Sequence, residues 1–92
     1  MSWVAILMGS ESDWPTMQST TSVLEALQIK FEVKVTSAHR TPAATQEYVA
    51  DAEARGCKVF ICAAGMAAHL AGAVAAHTQR PVIGVPIDSG PL

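Results

Sequence analysis

The segment from Ser37 to Pro42 places a hydroxyl, an imidazole and a guanidinium within four consecutive residues. A guanidinium binds phosphate or carboxylate groups through paired hydrogen bonds, so Arg40 suits an anionic substrate. An imidazole gains and loses a proton near neutral pH, so His39 suits acid–base chemistry. The combination predicts an enzyme that holds an anionic substrate and moves a proton on it.

The sequence on either side predicts that this segment is a loop between a strand and a helix. Residues 31–35 alternate apolar and charged side chains, which is typical of a half-exposed strand near a sheet edge. Pro42 fits the first turn of a helix, and Thr41 can cap it. That helix is predicted over 42–55, because Gly56 then supplies a left-handed stop.

The rest of the chain repeats this alternation of strand and helix. Apolar runs predict further strands at 3–8, 58–63 and 81–86, and further helices are expected from about 13 to 27 and from about 68 to 77. The apolar face of the first helix is predicted from the spacing of Trp14, Met17, Thr21, Leu24 and Leu27. The order βαβαβαβ implies a parallel sheet with right-handed crossovers and helices on both faces.

Three loops should follow the carboxyl ends of the first three strands and meet at one edge of the sheet. The first offers Gly9 for close backbone approach, the hydroxyl of Ser10, and Asp13 as an acceptor for ribose hydroxyls. The second is the segment described above. The third offers Gly65 and His69. Together with the N–H groups of helix N-termini, these loops predict a pocket for a phosphorylated sugar that carries a small ring.

Each residue taken alone has a simpler interpretation. Asp13 can be a plain helix cap, Gly65 can permit a tight turn, and His69 can be a core residue. His77 suits a helix C-terminus and Arg80 suits a solvated turn. It is the convergence of the three loops that favours a functional site.

Length and composition limit the class of protein. The chain has 92 residues, enough for one domain, and half of them are hydrophobic while 15% are charged. This hydrophobic fraction is high for so short a chain. It indicates that part of the surface is covered by partner subunits or by a further C-terminal segment. The net charge of −2 and the scattered basic residues argue against nucleic-acid binding.

Cys57 and Cys62 are five residues apart in a predicted strand, so their side chains are expected on opposite faces and not in a disulfide. No His or Cys lies at zinc-ligand spacing to them, so no metal site is expected. Buried thiols indicate a reducing compartment. The sequence also lacks a signal-peptide pattern and an apolar run long enough to span a membrane, so a cytoplasmic protein is expected.

Four ordered motifs resemble one known family. They are Met8-Gly9-Ser10-Glu11-Ser12-Asp13-Trp14, Ser37-Ala38-His39-Arg40-Thr41-Pro42, Ala67-Ala68-His69-Leu70 and Pro81-Val82-Ile83-Gly84-Val85-Pro86. This pattern is similar to that of the class I PurE proteins of purine biosynthesis, which are N5-carboxyaminoimidazole ribonucleotide mutases. The resemblance implies an α/β flavodoxin-like three-layer sandwich, a homo-octamer, and a carboxylate migration that uses no cofactor or metal.

The resemblance also assigns roles to individual residues. His39 matches the general acid–base and Arg40 the phosphate-binding arginine, while Ser10 and Asp13 match positions that bind the ribose phosphate. The remaining matched positions that line the site are Ser37, Gly65, His69 and Leu70. Met66 departs from the family pattern, which usually has glycine at that position.

Family members continue past the point where this sequence stops, so residues 1–92 are expected to form a single domain whose C-terminal part is missing. Two alternatives follow within the same fold. One is an inactive or binding-only fragment that keeps the nucleotide pocket. The other is the class II relative, which carboxylates aminoimidazole ribonucleotide with free CO2. A general flavodoxin-like nucleotide binder or phosphoacceptor domain fits less well, because acidic residues are not clustered at the strand ends.

Overall fold

Strands and helices alternate along the chain in the predicted βαβαβαβ order. The structure is a computed structural model and describes residues 2–65 and 69–87. The strands are β1 (Trp3–Met8), β2 (Phe31–Val35), β3 (Cys57–Gly65) and β4 (Val82–Ile87), and the α-helices are α1 (Trp14–Ala26), α2 (Pro42–Ala54) and α3 (His69–Ala75), with a short 3-10 turn at Glu11–Asp13. The predicted features at Met66, Ala67 and Ala68 lie outside the described residues.

The four strands form one parallel sheet in the order β2-β1-β3-β4. This is the strand order of the flavodoxin-like fold, which the sequence resemblance implied. β2 lies at one end of this sheet, as its alternating pattern predicted. β1 lies between β2 and β3, so the chain reverses its direction of travel across the sheet after β2. Folds of this kind bind ligands at that switch point, beyond the carboxyl ends of the strands.

Helices cover both faces of the sheet, because successive side chains of the strands point to opposite sides. On one face Ala5, Leu7 and Phe60 pack with side chains of α2 and α3. On the other face Ile6 and Met8 pack with side chains of α1. The core thus has two apolar layers, one on each face of the sheet. The loops at the carboxyl ends of the strands follow elements that belong to both layers.

The ends of α1 and α2 are both set by residues in the left-handed region. Gly56 ends α2 with φ of 100°, as predicted. α1 ends in the same way at Gln28, whose φ is 58°. There the N–H of Ile29 donates to the carbonyl of Leu24 at 2.9 Å, and the N–H of Gln28 donates to Glu25 at 3.0 Å. These two bonds form a Schellman motif, which satisfies the last carbonyls of the helix.

The predicted apolar face of α1 is correct over its first three turns and wrong at its end. Met17, Thr21 and Leu24 are buried and Trp14 is half-buried, but Leu27 is 63% exposed. Leu27 is the C-cap residue, where the chain leaves the helical path toward Gln28. The helical periodicity therefore no longer applies to its side chain. Among the described residues, no helix is long and apolar enough to cross a membrane.

The prediction that Cys57 and Cys62 lie on opposite faces is wrong. Both are buried free thiols in the same core layer as Phe60. The reason is a bulge in β3: Trp3 pairs with Cys57, but the next residue, Val4, pairs with Val59. One extra residue in β3 resets the alternation of its side chains. Burial raises the pKa of Cys57 and raises that of Cys62 to about 12.

Candidate active site

The first two loops begin side by side, because backbone hydrogen bonds continue the sheet beyond the strands that lead into them. The N–H of Thr36, just past β2, donates to the carbonyl of Met8 at 2.8 Å. The N–H of Gly9, just past β1, donates to the carbonyl of Ala63 in β3 at 3.2 Å. The starts of the first two loops are thereby attached to the strand next to them, as the topology predicts.

A cavity of about 330 Å³ opens at this junction. Three of its lining residues, Gly9, Ser37 and Arg40, were predicted from the sequence to be site residues. The remaining lining residues are Val35, Thr36 and Thr41. The cavity therefore brings a glycine backbone, hydroxyl groups and one guanidinium to a single place. Such a set of donors suits a phosphate or another oxyanion.

Two imidazoles that are thirty residues apart in the sequence meet beside this junction. The ring centroids of His39 and His69 are 4.9 Å apart, and the rings are edge to face with an interplanar angle of 77°. His39 lies in the turn after β2, and His69 is the first residue of α3. Both side chains are exposed at the surface, where they can reach a ligand. A pair of imidazoles can supply and accept protons near neutral pH.

The remaining predicted residues of the first loop have defined local roles. The hydroxyl oxygen of Ser10 accepts from the N–H of Ser12 at 3.2 Å, and the two side-chain oxygens are 2.9 Å apart. Ser10 thus caps the 3-10 turn. Asp13 stands at the N-cap position of α1, but its carboxylate makes no capping hydrogen bond to the described backbone of that helix. The simpler interpretation of Asp13 as a side-chain cap is therefore not what this geometry shows.

Gly65 and Leu70 lie on either side of the third loop. Gly65 is the last residue of β3 and is paired with Ile87 of β4. Leu70 is 2% exposed and belongs to the core layer that contains Val74. Neither residue lines the cavity beside Arg40. Leu70 instead anchors the start of α3, which carries His69.

Hydrogen bonds within the turn fix the backbone that carries His39 and Arg40. The hydroxyl of Thr41 donates to the carbonyl of Ser37 at 3.0 Å and accepts from the Ser37 N–H at 3.2 Å. The Ser37 hydroxyl in turn accepts from the N–H of Arg40 at 3.0 Å. Thr41 occupies the predicted N-cap position of α2, but its hydroxyl bonds backward to the turn and makes no side-chain capping bond to the helix.

Sequence reasoning missed Thr36 and Thr45, whose buried hydroxyls join this network. A usable signal was present, because Ser37, Thr41 and Thr45 are spaced four residues apart and hydroxyls at that spacing can lie along one side of a helical turn. Thr36 carried no such signal. It directly follows the predicted strand, so its position in the sequence indicates only the end of that strand.

The opposite end of the sheet carries a second open cavity, of about 670 Å³. Its lining includes His77 and Arg80, which are not among the predicted site residues, together with Thr78 and Glu53. The Thr78 hydroxyl donates to the Glu53 carboxylate. This cavity lies far from the His39–His69 pair. Within the described ranges, no three His, Cys, Asp or Glu side chains are grouped as metal ligands would be.

Comparison with known proteins adds to this geometry. The family model described as AIR carboxylase matches residues 3–92. An N5-carboxyaminoimidazole ribonucleotide mutase of Vibrio vulnificus is 52% identical over 89 residues, which are 97% of this chain and 55% of the relative. The proteins of the same name from Pyrococcus abyssi and Bacillus subtilis are 54% and 53% identical, with 51% and 55% of each relative covered.

A solved structure agrees with the fold. The crystal structure of Treponema denticola PurE superposes with a TM-score of 0.89 at 30% sequence identity, covering 97% of this chain and 57% of that one. The chain therefore spans about half the length of the relatives that it matches.

Proposed function

The chain belongs to the AIR carboxylase family, and from this premise we propose that the protein interconverts N5-carboxyaminoimidazole ribonucleotide and 4-carboxyaminoimidazole ribonucleotide in purine biosynthesis. The reaction makes it an isomerase that moves a carboxylate group within its substrate. The names and identities of the relatives from Vibrio vulnificus and Bacillus subtilis support this substrate. They also favour the mutase over a carboxylase that takes up free CO2.

One observation of the structure carries the proposal: the His39 ring lies 4.9 Å from that of His69, and His39 is on the same turn as Arg40, which lines the neighbouring cavity. A mutase of this kind needs one group that exchanges a proton with the substrate and another that holds its phosphate. The turn provides both on adjacent residues.

In the proposed mechanism His39 acts first as an acid and then as a base. Its imidazolium protonates the exocyclic nitrogen as the bond between that nitrogen and the carboxylate carbon breaks, which releases CO2. Carbon 4 of the electron-rich imidazole ring then attacks the CO2. The neutral imidazole finally removes the proton from carbon 4, so His39 is regenerated. The atoms balance without ATP and without any change of oxidation state, so the proposal includes no cofactor.

Binding roles follow from the chemistry of each loop. Arg40 binds the phosphate through charge-assisted hydrogen bonds, and Ser10 and Asp13 bind the ribose phosphate portion. The other proposed substrate-binding residues are Gly9, Ser37, Gly65, His69 and Leu70. The exposed positions of Ser10 and His69 and the half-buried position of Ser37 support contact with a ligand.

The test is a turnover assay of the 92-residue chain with N5-carboxyaminoimidazole ribonucleotide, following the ring-carboxylated product by absorbance. His39→Asn should abolish turnover while calorimetry still detects substrate binding. His77→Asn, which changes a histidine at the opposite end of the sheet, is the matched control and should keep full activity. Full activity in His39→Asn would refute the role of His39. Binding without turnover in the unsubstituted chain would support a binding-only function in its place.

We further propose a homo-oligomer, an octamer as the family resemblance implies, in the cytoplasm. Exposed apolar side chains on several elements support association: Val23, Leu27, Ile29, Val35 and Ile83 are each at least 38% exposed. Two buried free thiols support a reducing compartment. Sedimentation velocity would measure the mass of the assembly, and cell fractionation would test the location.

A further inference from the structure

A chain of buried hydroxyl groups runs beneath the turn that carries His39 and Arg40. Thr36, at the end of β2, is 5% exposed, and Thr45, one turn into α2, is 2% exposed. Their hydroxyl oxygens are 2.7 Å apart. Buried hydroxyls are costly unless each is hydrogen-bonded, so this pair needs a specific arrangement of its surroundings.

Each hydroxyl of this chain has one proton to donate and can also accept a hydrogen bond, and each has partners within reach. The Thr45 hydroxyl donates to the carbonyl of Thr41 at 3.1 Å, with the carbonyl of Ser37 also in reach at 3.4 Å. In the contact between the Thr36 and Thr45 hydroxyls either oxygen can be the donor, and the Thr41 hydroxyl oxygen also lies 3.5 Å from that of Thr36. The hydrogen-bonded chain thus joins the end of β2, α2 and the backbone of the turn.

The carbonyl of Ser37 connects the buried Thr36–Thr45 pair to the hydrogen bonds on the exposed side of the turn. The carbonyl of Ser37 also accepts from the Thr41 hydroxyl and from the Thr41 N–H, each at 3.0 Å. The backbone N–H of Thr36 is held by Met8 of β1. The turn is thus attached to β1, β2 and α2 at once, and His39 lies at its exposed tip.

We propose that Thr36 and Thr45 are positioning residues: their hydrogen-bonded hydroxyls hold the 37–41 turn so that the His39 ring stays against His69 and Arg40 stays at the cavity. This inference rests on the proposed function for its catalytic consequence. Its structural consequence, the placement of His39 against His69, stands apart from any reaction. Valine has nearly the shape of threonine, so Thr45→Val removes the hydroxyl while keeping most of the packing.

The first experiment measures the imidazole resonances of His39 by NMR in the unsubstituted 92-residue chain and in Thr45→Val. His69→Ala provides the reference for a His39 ring that has lost its neighbour. In Thr45→Val the His39 signals should move toward those of the reference, and Thr45→Ser should restore them. Thr21→Val is the matched control, since Thr21 is also buried and donates to a helix carbonyl, that of Gln18, far from the turn.

The second experiment measures turnover in the same variants. Thr45→Val should lower kcat by about tenfold to a hundredfold, because a shift of about 1 Å in a catalytic group has effects of that size. Thr45→Ser and Thr21→Val should stay within about threefold of the unsubstituted chain on the same argument. If the unsubstituted chain has no turnover, the proposed function fails, but the NMR comparison still tests the positioning.

If Thr45→Val fails to fold, Thr36→Val and Thr36→Ser provide the same comparison, because they change the other partner of the Thr36–Thr45 hydrogen bond. The proposal is overturned if a folded Thr45→Val or Thr36→Val leaves the His39 signals where they are in the unsubstituted chain. It is also overturned if the serine variants fail to restore them.

Discussion

Arg40 shows how one residue can serve the site with two separate parts. Its backbone N–H is bonded to the Ser37 hydroxyl, and its side chain lines the cavity at the switch point of the sheet. The backbone bond belongs to the turn, whereas the guanidinium is available for a ligand. A substitution of the Arg40 side chain should therefore change ligand binding and leave the backbone hydrogen bond of the turn in place.

Arg40→Ala should weaken substrate binding and leave the catalytic step largely intact. A hydrogen bond to a charged group contributes about 1.5–3 kcal/mol, so KM should rise by about tenfold to a hundredfold with a much smaller change in kcat. Arg80→Ala, an exposed arginine at the other end of the sheet, is the control and should leave KM unchanged. A loss confined to kcat in Arg40→Ala would contradict a role in phosphate binding.

At the scale of single elements, two glycines are predicted to respond to the same substitution in opposite ways. Gly56→Ala should lower the free energy of unfolding by about 1–2 kcal/mol, because φ of 100° at the end of α2 is unfavourable for a residue with a side chain. Gly72→Ala should raise it by about 0.5–1 kcal/mol, because Gly72 is inside α3 and an added Cβ meets nothing within 4 Å. Urea unfolding of both variants measures the two changes, and equal signs would contradict the argument.

A second element-scale prediction concerns the contact between β2 and α2. The two terminal guanidinium nitrogens of Arg55, Nη1 and Nη2, donate to the Glu32 carboxylate at 3.0 Å, and the Tyr48 hydroxyl donates to it at 2.7 Å. These hydrogen bonds, that of Arg55 first, hold the pKa of Glu32 below its ordinary value of 4.5. Because the folded-state pKa is lowered, the stabilisation is present above the ordinary pKa and is lost as the pH falls through the lowered one.

Glu32→Gln should therefore lower the free energy of unfolding at neutral pH, by up to about 1 kcal/mol for a partly exposed ion pair. The difference from the unsubstituted chain should shrink toward zero in acid, once the native carboxylate is protonated. Urea unfolding at a series of pH values, from about pH 7 down through the lowered pKa of Glu32, follows this change. Glu47→Gln, which changes an exposed residue on α2, is the control. If the difference in free energy of unfolding between the two chains persists unchanged in acid, the charge of Glu32 is not what stabilises the folded chain.

The elements themselves were largely predictable from sequence because their signals are local. The apolar run of β1 and the proline and glycine that bound α2 give the observed limits to within a residue. What failed depends on contacts between elements. The bulge that turns Cys57 toward Phe60 arises from pairing with β1, and the left-handed end of α1 occurs at Gln28, which has no glycine-like preference.

The candidate site was predictable to a similar degree and for similar reasons. Its three loops follow from the order of the strands, so the meeting of Gly9 with Arg40 could be expected from the sequence alone. The edge-to-face contact of His39 with His69 depends on side-chain placement, which no local pattern encodes. The buried Thr36 hydroxyl was likewise hidden, because its partner Thr45 is on another element.

At the scale of the whole molecule, the edge of β4 should promote self-association. Within the described chain β4 is the last strand of the sheet, and Ile83 on it is 52% exposed. A strand at such an edge combines unpaired backbone groups with apolar surface. Ile83→Thr should therefore shift the assembly toward smaller species at equal concentration, while the β-branched side chain preserves the strand.

Sedimentation velocity over a range of concentrations measures this shift. Val23→Thr is the comparison variant, because Val23 is also exposed but lies on α1, away from the edge, and it should shift the assembly less than Ile83→Thr does. If both variants change the assembly equally, general surface hydrophobicity and not the β4 edge drives the association.

The central position of β1 also sets the order in which the molecule can be assembled during synthesis. Val4 pairs with Phe31 on one side and with Val59 on the other, so β1 cannot complete its pairing until β3 has been synthesised. Contacts between residues so distant along the chain raise the contact order and slow folding. His69 lies beyond β3, so in the folded chain the pairing of β3 with β1 places it at the same end of the sheet as His39. The pair of imidazoles is therefore assembled by contacts between residues that are distant along the chain, and no single local segment contains it.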